Sequence, residues 1–232
     1  MSAFQVITID LDDTLWEIHP VIHRAERRLY EWIQSDHPRV AERYDHEALT
    51  QLRADVVDQY PHMGHDYTFL RRTVLRRVGR EVGGPDDFVD QAMEVFDRER
   101  NSVDIFPEVL PTLEALREHY RLVAVTNGNA RLDMIGIDHL FDAMISAREA
   151  GAAKPAPQIF ERAVAAGGAT AAQTLHVGDH PEMDVVGAQQ AGLSTVWVNR
   201  NEHPWPDHLA PADLEVQHIG EIPAWLERRR GA

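Results

Sequence analysis

At 232 residues the chain is long enough to bury a full core, and its length suits one large domain or one domain carrying an insert. A formal net charge of −15 argues against nucleic acid or an anionic membrane as the main partner, because a duplex repels such a protein unless a strong basic patch intervenes. The absence of cysteine excludes disulfides, thiolate metal sites and thiol nucleophiles, and fits a reducing compartment. The opening MSAFQVITID has no basic segment followed by a long apolar one, and no later stretch approaches about eighteen uninterrupted apolar residues, so a cytoplasmic protein with no membrane association is expected.

In chain order, Phe4, Val6, Ile7 and Ile9 form an apolar run that reads as a buried strand. From about Glu17 to Ser102 the pattern is purely helical. Pro20 can open a helix with Val21, Ile22, Ala25, Leu29, Trp32 and Ile33 on one face, ending before Pro38. Asp45 can cap a second, with Leu49, Leu52, Val56 and Tyr60, stopped by Pro61; Asp66 can cap a third, with Phe69, Leu70, Val74 and Val78, closed by Gly83 and Gly84. A fourth runs from about Asp86 to Arg100, and four such helices make a compact bundle. Beyond it a helix near Pro111 to Tyr120 precedes strands at Leu122 to Val125, near Met144, at Thr174 to Val177 and at Ser194 to Val198. An edge strand fits Asp213 to His218, and a last helix fits Pro223 to Arg229. The alternation predicts an α/β fold: a mostly parallel Rossmann-like sheet core at 1–16 and 103–232, wrapped by helices, with an α-helical insert at 17–102.

Polar residues mark the strand ends. Asp10-Leu11-Asp12-Asp13-Thr14 follows the first strand, at the edge where open α/β sheets hold ligands. Two aspartates one residue apart there can share a pocket, one attacking a phosphorus centre and the other handling the leaving group's proton. Thr126-Asn127-Gly128-Asn129 after the second strand is either a phosphate-binding turn or an ordinary helix-capping one. Lys154 places a cation in a loop rich in glycine and alanine, and Gly178-Asp179 leads to Asp184, which could cap the following helix. Taken together, Asp10, Asp12, Thr126, Lys154, Asp179 and Asp184 meet on one sheet edge. Carboxylates so gathered repel one another unless a cation sits among them, and a hard divalent ion such as magnesium answers that need. The 13 histidines show no spaced metal-ligand pattern.

The ordered segments IDLDDTL, VTN, a lysine followed by proline, and GDHPEMD resemble the four motifs of the haloacid dehalogenase-like hydrolase superfamily, over Ile9 to Asp184. The resemblance implies that Asp10 is the nucleophile forming an aspartyl-phosphate and Asp12 the general acid that later activates water. It implies that the Asp10 carboxylate, the Asp12 backbone carbonyl and Asp179 hold Mg2+, that Thr126 and Lys154 bind phosphoryl oxygens, and that Asp184 orients Lys154 or a metal-bound water. The helical insert is similar to the α-helical cap of the superfamily's first class. Dehalogenases of the superfamily lack an acid at the place of Asp12, and mutases usually carry glycine where Asp13 stands, so hydrolysis of a phosphate ester is implied.

The stretches IDLDDTLWEIHPVIHRAE, VTNGNA and LHVGDHPEMDVVGAQQAG with VWVNR resemble the bacterial flavin-mononucleotide phosphatase branch. That branch acts on FMN and on 5-amino-6-(5-phosphoribitylamino)uracil, so the implied partner is a small phosphate ester of riboflavin metabolism, with another nucleotide or sugar phosphate as the alternative. A planar ring would need stacking and hydrogen-bonding groups. Candidates are Trp16, which could equally pack at the hinge, and the loop from Pro61 to Tyr67 with His62 and His65. Arg71, Arg72, Arg76, Arg77 and Arg80 read as a solvated helix face. Phosphoacceptor receiver domains combine similar groups but place the acceptor aspartate before the Thr, whereas Asp179 follows Lys154.

Overall fold

The structure is a computed structural model in which residues 4–230 are described. The first apolar run forms β1 (Val6–Ile9), all four residues buried, as a strand covered on both faces requires. In α1 (Ile18–Asp36) Pro20 sits in the first turn, where its missing N–H costs nothing, and Val21, Ala25, Leu29 and Ile33 form the buried stripe. Pro38 follows the end of α1 as expected, but it also opens α2 (Pro38–Arg43), a short helix burying Val40 that the sequence reading does not anticipate. Asp45 caps α3 (His46–Gln59) by accepting from the Ala48 N–H at 2.8 Å, and Asp66 caps α4 (Tyr67–Glu81) from the Phe69 N–H at 2.8 Å. With α5 (Phe88–Arg100) the segment carries five α-helices rather than four, and a 3-10 turn at Pro61–Met63.

These helices bury their stripes against one another in a cluster that includes Leu29, Ile33, Val56, Val78 and Phe96. Arg71 departs from the expected solvated face. Its guanidinium carbon lies 3.5 Å from the centre of the Phe96 ring, and its Nη1 donates to Glu26 Oε1 at 2.7 Å.

The α/β texture resumes with α6 (Val109–Arg117), β2 (Arg121–Thr126), α7 (Leu132–Ile135), β3 (Ala143–Ser146), α8 (Ala147–Ala150) and α9 (Pro157–Gly167). It ends with β4 (Thr174–Gly178), α10 (Gly187–Gln190), β5 (Ser194–Val198), β6 (Leu214–Val216) and α11 (Ile222–Arg230). The strands form one six-stranded sheet in the order β3-β2-β1-β4-β5-β6, parallel at every pairing, with β6 at an edge as expected. The α9 helix packs Ile159, Phe160 and Ala163 against Val6, Val123 and Val125 of the sheet. The Rossmann-like α/β architecture read from the sequence is therefore the one observed.

The chain forms two compact units: an α/β unit of residues 4–17, 104–128 and 136–230, and a helical unit of 18–103 with 129–135. The short segment with α7 joins the helical unit through the Arg131 N–H, which donates to Asn101 Oδ1 at 2.7 Å. Within the α/β unit the chain leaves β1 toward β2 and β3, then crosses to β4, β5 and β6 on the other side. That reversal is the switch point between β1 and β4, at whose carboxyl ends sheets of this type hold ligands. No helix among the described residues is long and apolar enough to cross a membrane.

Candidate active site

Directly after β1, Asp10 continues the ladder through its N–H, which donates to the Val177 carbonyl at 2.9 Å, and its side chain is buried. The next turn is tight: Asp13 has φ of 64°, a left-handed conformation that Asp tolerates better than most residues, and its N–H donates to the Trp16 carbonyl at 2.8 Å. The turn brings the buried Thr14 hydroxyl back to Asp10 Oδ2 at 3.0 Å and to Asp179 Oδ1 at 3.3 Å. Its one hydrogen serves a single carboxylate at a time.

Lys154 is buried with Asp10 and Asp184. Its ammonium donates to Asp10 Oδ1, to Asp184 Oδ1 at 2.6 Å and, more weakly, to the Val125 carbonyl at 3.4 Å. Asp184 is further held by His176 Nε2 at 3.1 Å on Oδ1 and by the His180 N–H at 3.0 Å on Oδ2. Its close approach to the sheet depends on Gly178, where a Cβ would lie 2.3 Å from Asp184 Cγ. Asp184 does not cap a helix. It lies inside a π-helical turn, Pro181–Val186, whose cap is His180, with Nδ1 accepting from the Glu182 and Met183 N–H groups at 3.2 Å each.

The electrostatics split the carboxylates. Burial opposes ionisation of Asp184, but Lys154 and then His176 outweigh it and hold the group well below the usual carboxylate range. Burial pushes Asp10 well above that range, Lys154 opposing and the charges of Asp184 and Asp179 reinforcing the shift. Asp179 is pushed up to about 7, by burial first and then by Asp184 and Asp13. Lys154 stays charged, because Asp10 and Asp184 overcome the burial that disfavours its ammonium. Burial lowers His176 against the pull of Asp184, which favours its neutral imidazole.

Asp10, Asp179 and Asp184 each offer an oxygen, and these oxygens lie within 4.8 Å of one another. The cluster is short of positive charge, as the raised Asp10 and Asp179 show, and its donors are all hard oxygens. With both Asp184 oxygens committed to Lys154, His176 and the His180 N–H, Asp10 and Asp179 are the carboxylates that fit a hard divalent cation.

Not every expected residue sits as the sequence suggested. Trp16 is fully buried, and its indole N–H donates to Asp12 Oδ1 at 2.9 Å; it holds Asp12 instead of offering a ring face to a ligand. Asn127 spends its side chain on the Lys154 backbone, accepting from the N–H at 2.7 Å and donating to the carbonyl at 3.0 Å. That clasp positions the lysine loop, and the second amide hydrogen of Asn127 reaches only the Met183 sulfur, at 3.7 Å. Thr126 is buried, and its Oγ1 accepts from the Gly128 N–H at 2.8 Å, an arrangement that keeps the hydroxyl hydrogen as a donor. His65 belongs to the helical unit, half-buried in the turn before α4. Three contributors were missed: Thr14 as a shared donor, Gly178 as the space for Asp184, and His176. For His176 a signal existed, since a histidine amid TLHVG is a polar break in an otherwise apolar central strand.

The chain matches the haloacid dehalogenase-like hydrolase family model over residues 4–192. It is 29% identical over 230 residues to the 5-amino-6-(5-phospho-D-ribitylamino)uracil phosphatase YigB of Escherichia coli (strain K12), covering 96% of each chain. It is 34% identical over 159 residues to a phosphoserine phosphatase of Thermus thermophilus, covering 66% of this chain and 64% of the other. Among solved structures, one described as a 2-haloacid dehalogenase from Pseudomonas syringae pv. Tomato DC3000 superposes with a TM-score of 0.90 at 36% identity, covering 97% of this chain and 99% of that one. The family match spans most of the length, and the acidic cluster at the carboxyl edge of the sheet lies within it: the chain belongs to the haloacid dehalogenase-like hydrolases.

Proposed function

We propose that the protein is a magnesium-dependent phosphomonoester hydrolase working through an aspartyl-phosphate on Asp10. The observation that carries this reading is the buried pair of Asp10 and Lys154 beside the half-buried Asp179, with a second carboxyl, Asp12, two residues after the nucleophile. An Asp10 oxygen forms a bond to phosphorus as the ester P–O bond breaks, and the Asp12 carboxyl gives its proton to the departing alkoxide. Asp12, now a carboxylate, takes a proton from water; that water's oxygen attacks the acyl phosphate, releasing inorganic phosphate and restoring the Asp10 carboxylate. Trp16 donates to Asp12 Oδ1, a bond that restrains the carboxyl proposed for this work.

Thr126 and Lys154 bind the phosphoryl oxygens as charge builds on them. Asp184 orients Lys154, and its own oxygens are occupied by Lys154, His176 and the His180 N–H. Magnesium would be held by the Asp10 carboxylate, the Asp12 carbonyl and Asp179. It supplies the positive charge that keeps those carboxylates ionised and neutralises the phosphoryl group.

The substrate we favour is FMN or 5-amino-6-(5-phosphoribitylamino)uracil, supported by the segments resembling the flavin-mononucleotide phosphatase branch and by the full-length likeness to YigB. The helical unit is the proposed cap, with the loop from Pro61 to Tyr67, His65 included, as its candidate for substrate selectivity. A second reading, 2-haloacid dehalogenation, is favoured by the description of the 36%-identical structure. Displacing halide needs no leaving-group proton, so the retained Asp12 supports phosphate chemistry. The test is a panel of FMN, the aminouracil ribityl phosphate, nucleoside monophosphates, sugar phosphates and a 2-haloacid, with magnesium. Phosphate release led by the two flavin-pathway compounds is expected. Broad turnover withdraws the substrate, and halide release without phosphate release withdraws the phosphatase.

A further inference from the structure

The polar chain at the site does not stop at Asp184. His176 lies in β4, in register with Thr8 of β1, and both side chains are fully buried. His176 Nε2 meets Asp184 Oδ1 at 3.1 Å and Nδ1 meets Thr8 Oγ1 at 2.8 Å, while the Phe160 ring stands edge-on to the imidazole at 5.1 Å. Asp184 is an ionised carboxylate beside a lysine, so it can only accept; the proton of a neutral imidazole must then sit on Nε2. Nδ1 is left as an acceptor, and the Thr8 hydroxyl is the donor that fills it. Thr8 has a second acceptor, the Leu175 carbonyl, but at 3.4 Å that bond is the poorer one.

We propose that Thr8 and His176 form a positioning relay beneath the active site, in which Thr8 fixes the imidazole tautomer and His176 fixes the Asp184 carboxylate that shares Lys154 with Asp10. The relay rests on the phosphatase reading above and adds a residue pair to it. A buried carboxylate held on one side only by a mobile lysine could swing; held by His176, Lys154 and the His180 N–H, it has one orientation. Lys154 is thereby kept between two carboxylates in place of collapsing onto one. Nothing but strand register brings Thr8 and His176 together, so the relay is built into the sheet itself.

Three variants test the relay with p-nitrophenyl phosphate and magnesium. His176→Leu fills the space without a donor, His176→Gln restores an N–H donor toward Asp184, and Thr8→Val removes the hydroxyl at constant shape. The expected result is a kcat about 10- to 100-fold lower in His176→Leu with KM within about twofold, most of the loss recovered in His176→Gln, and a smaller kcat loss in Thr8→Val. Equal losses in the Leu and Gln variants, or losses confined to KM, overturn it. Should His176→Leu fail to fold, the comparison of Thr8→Val and His176→Gln with the parent carries the same decision. Independently of turnover, 15N NMR of the imidazoles at pH 7, with His176 assigned by its absence in His176→Gln, should show a protonated Nε2 and a bare Nδ1. An Nδ1–H tautomer or an imidazolium overturns the relay. If the protein hydrolyses no phosphate ester at all, the functional reading falls, and the NMR result still decides the relay.

Discussion

Gly178→Ala is the substitution whose consequence the geometry fixes most tightly. The added methyl would lie 2.3 Å from Asp184 Cγ and 2.6 Å from both its Cβ and its Oδ2, where ordinary contact begins at 3.4 Å. Either the β4 backbone or Asp184 must give way by about 1 Å. Asp184 has little freedom to do so, because its contacts to Lys154, His176 and the His180 N–H run at 2.6, 3.1 and 3.0 Å. A retreat of that size breaks the longer two and leaves a buried carboxylate partly unpaired. Overpacking costs about 1–3 kcal/mol and a broken buried pair about 3–5 kcal/mol; since the shift loosens the pair without removing it, about 2–4 kcal/mol is expected. For a chain of this size that lowers Tm by about 5–15 °C. Turnover should fall further, by about 100-fold or more, since Lys154 moves with Asp184. Differential scanning calorimetry and steady-state phosphate release measure the two effects. Gly64→Ala is the control for Tm alone, because its Cβ would meet only the Pro61 carbonyl at 3.5 Å and the melting temperature should barely move. A Gly178→Ala protein with parental Tm and turnover would refute the packing of Asp184 against β4.

Two further outcomes are expected. Asp179 is raised to about 7 from an unfolded value of about 3.9, so its protonated form favours the fold; that contribution is complete below the unfolded value and is lost as pH climbs through 7. In metal-free buffer, Asp179→Asn should therefore gain in Tm over the parent as pH rises from about 5 to about 8, and a pH-independent difference would contradict the shift. Trp16→Phe keeps most of the buried ring but loses the donor to Asp12, so hydrolysis of an alkyl phosphate should fall about tenfold while p-nitrophenyl phosphate, whose leaving group needs no proton, is less affected. Equal effects on both esters would separate Trp16 from Asp12.

The sequence exposed whatever is local. Asp45 and Asp66 cap their helices within three residues of themselves, and the apolar run ending at Asp10 is both a strand and the address of the first carboxylates. Chain order was enough to gather Asp10, Lys154, Asp179 and Asp184, because loops at the carboxyl ends of parallel strands share one edge. Contacts set by packing were hidden. Thr8 and His176 are partners only because β1 pairs with β4 in one register, and a shift by one residue would turn His176 to the opposite face. Trp16 reads equally as a ligand platform or a core residue until the turn at Asp13 folds it inward. Pro38 signals a helix end by the same chemistry that lets it begin α2, so the fifth helix was not visible. Arg71 shares its helix with four arginines, and only the position of Glu26 and Phe96 singles it out.

The central claim is that Asp10 carries the phosphoryl group, and trapping it is the most direct measurement. The enzyme is mixed with excess phosphate ester and magnesium, quenched in acid within the first turnovers, digested and analysed by mass spectrometry. A phosphoryl adduct on the peptide containing Asp10, discharged by hydroxylamine as an acyl phosphate should be and absent in Asp10→Asn, is the predicted result. Phosphate release by an Asp10→Asn protein at the parental rate, with no adduct on any aspartate, would contradict it.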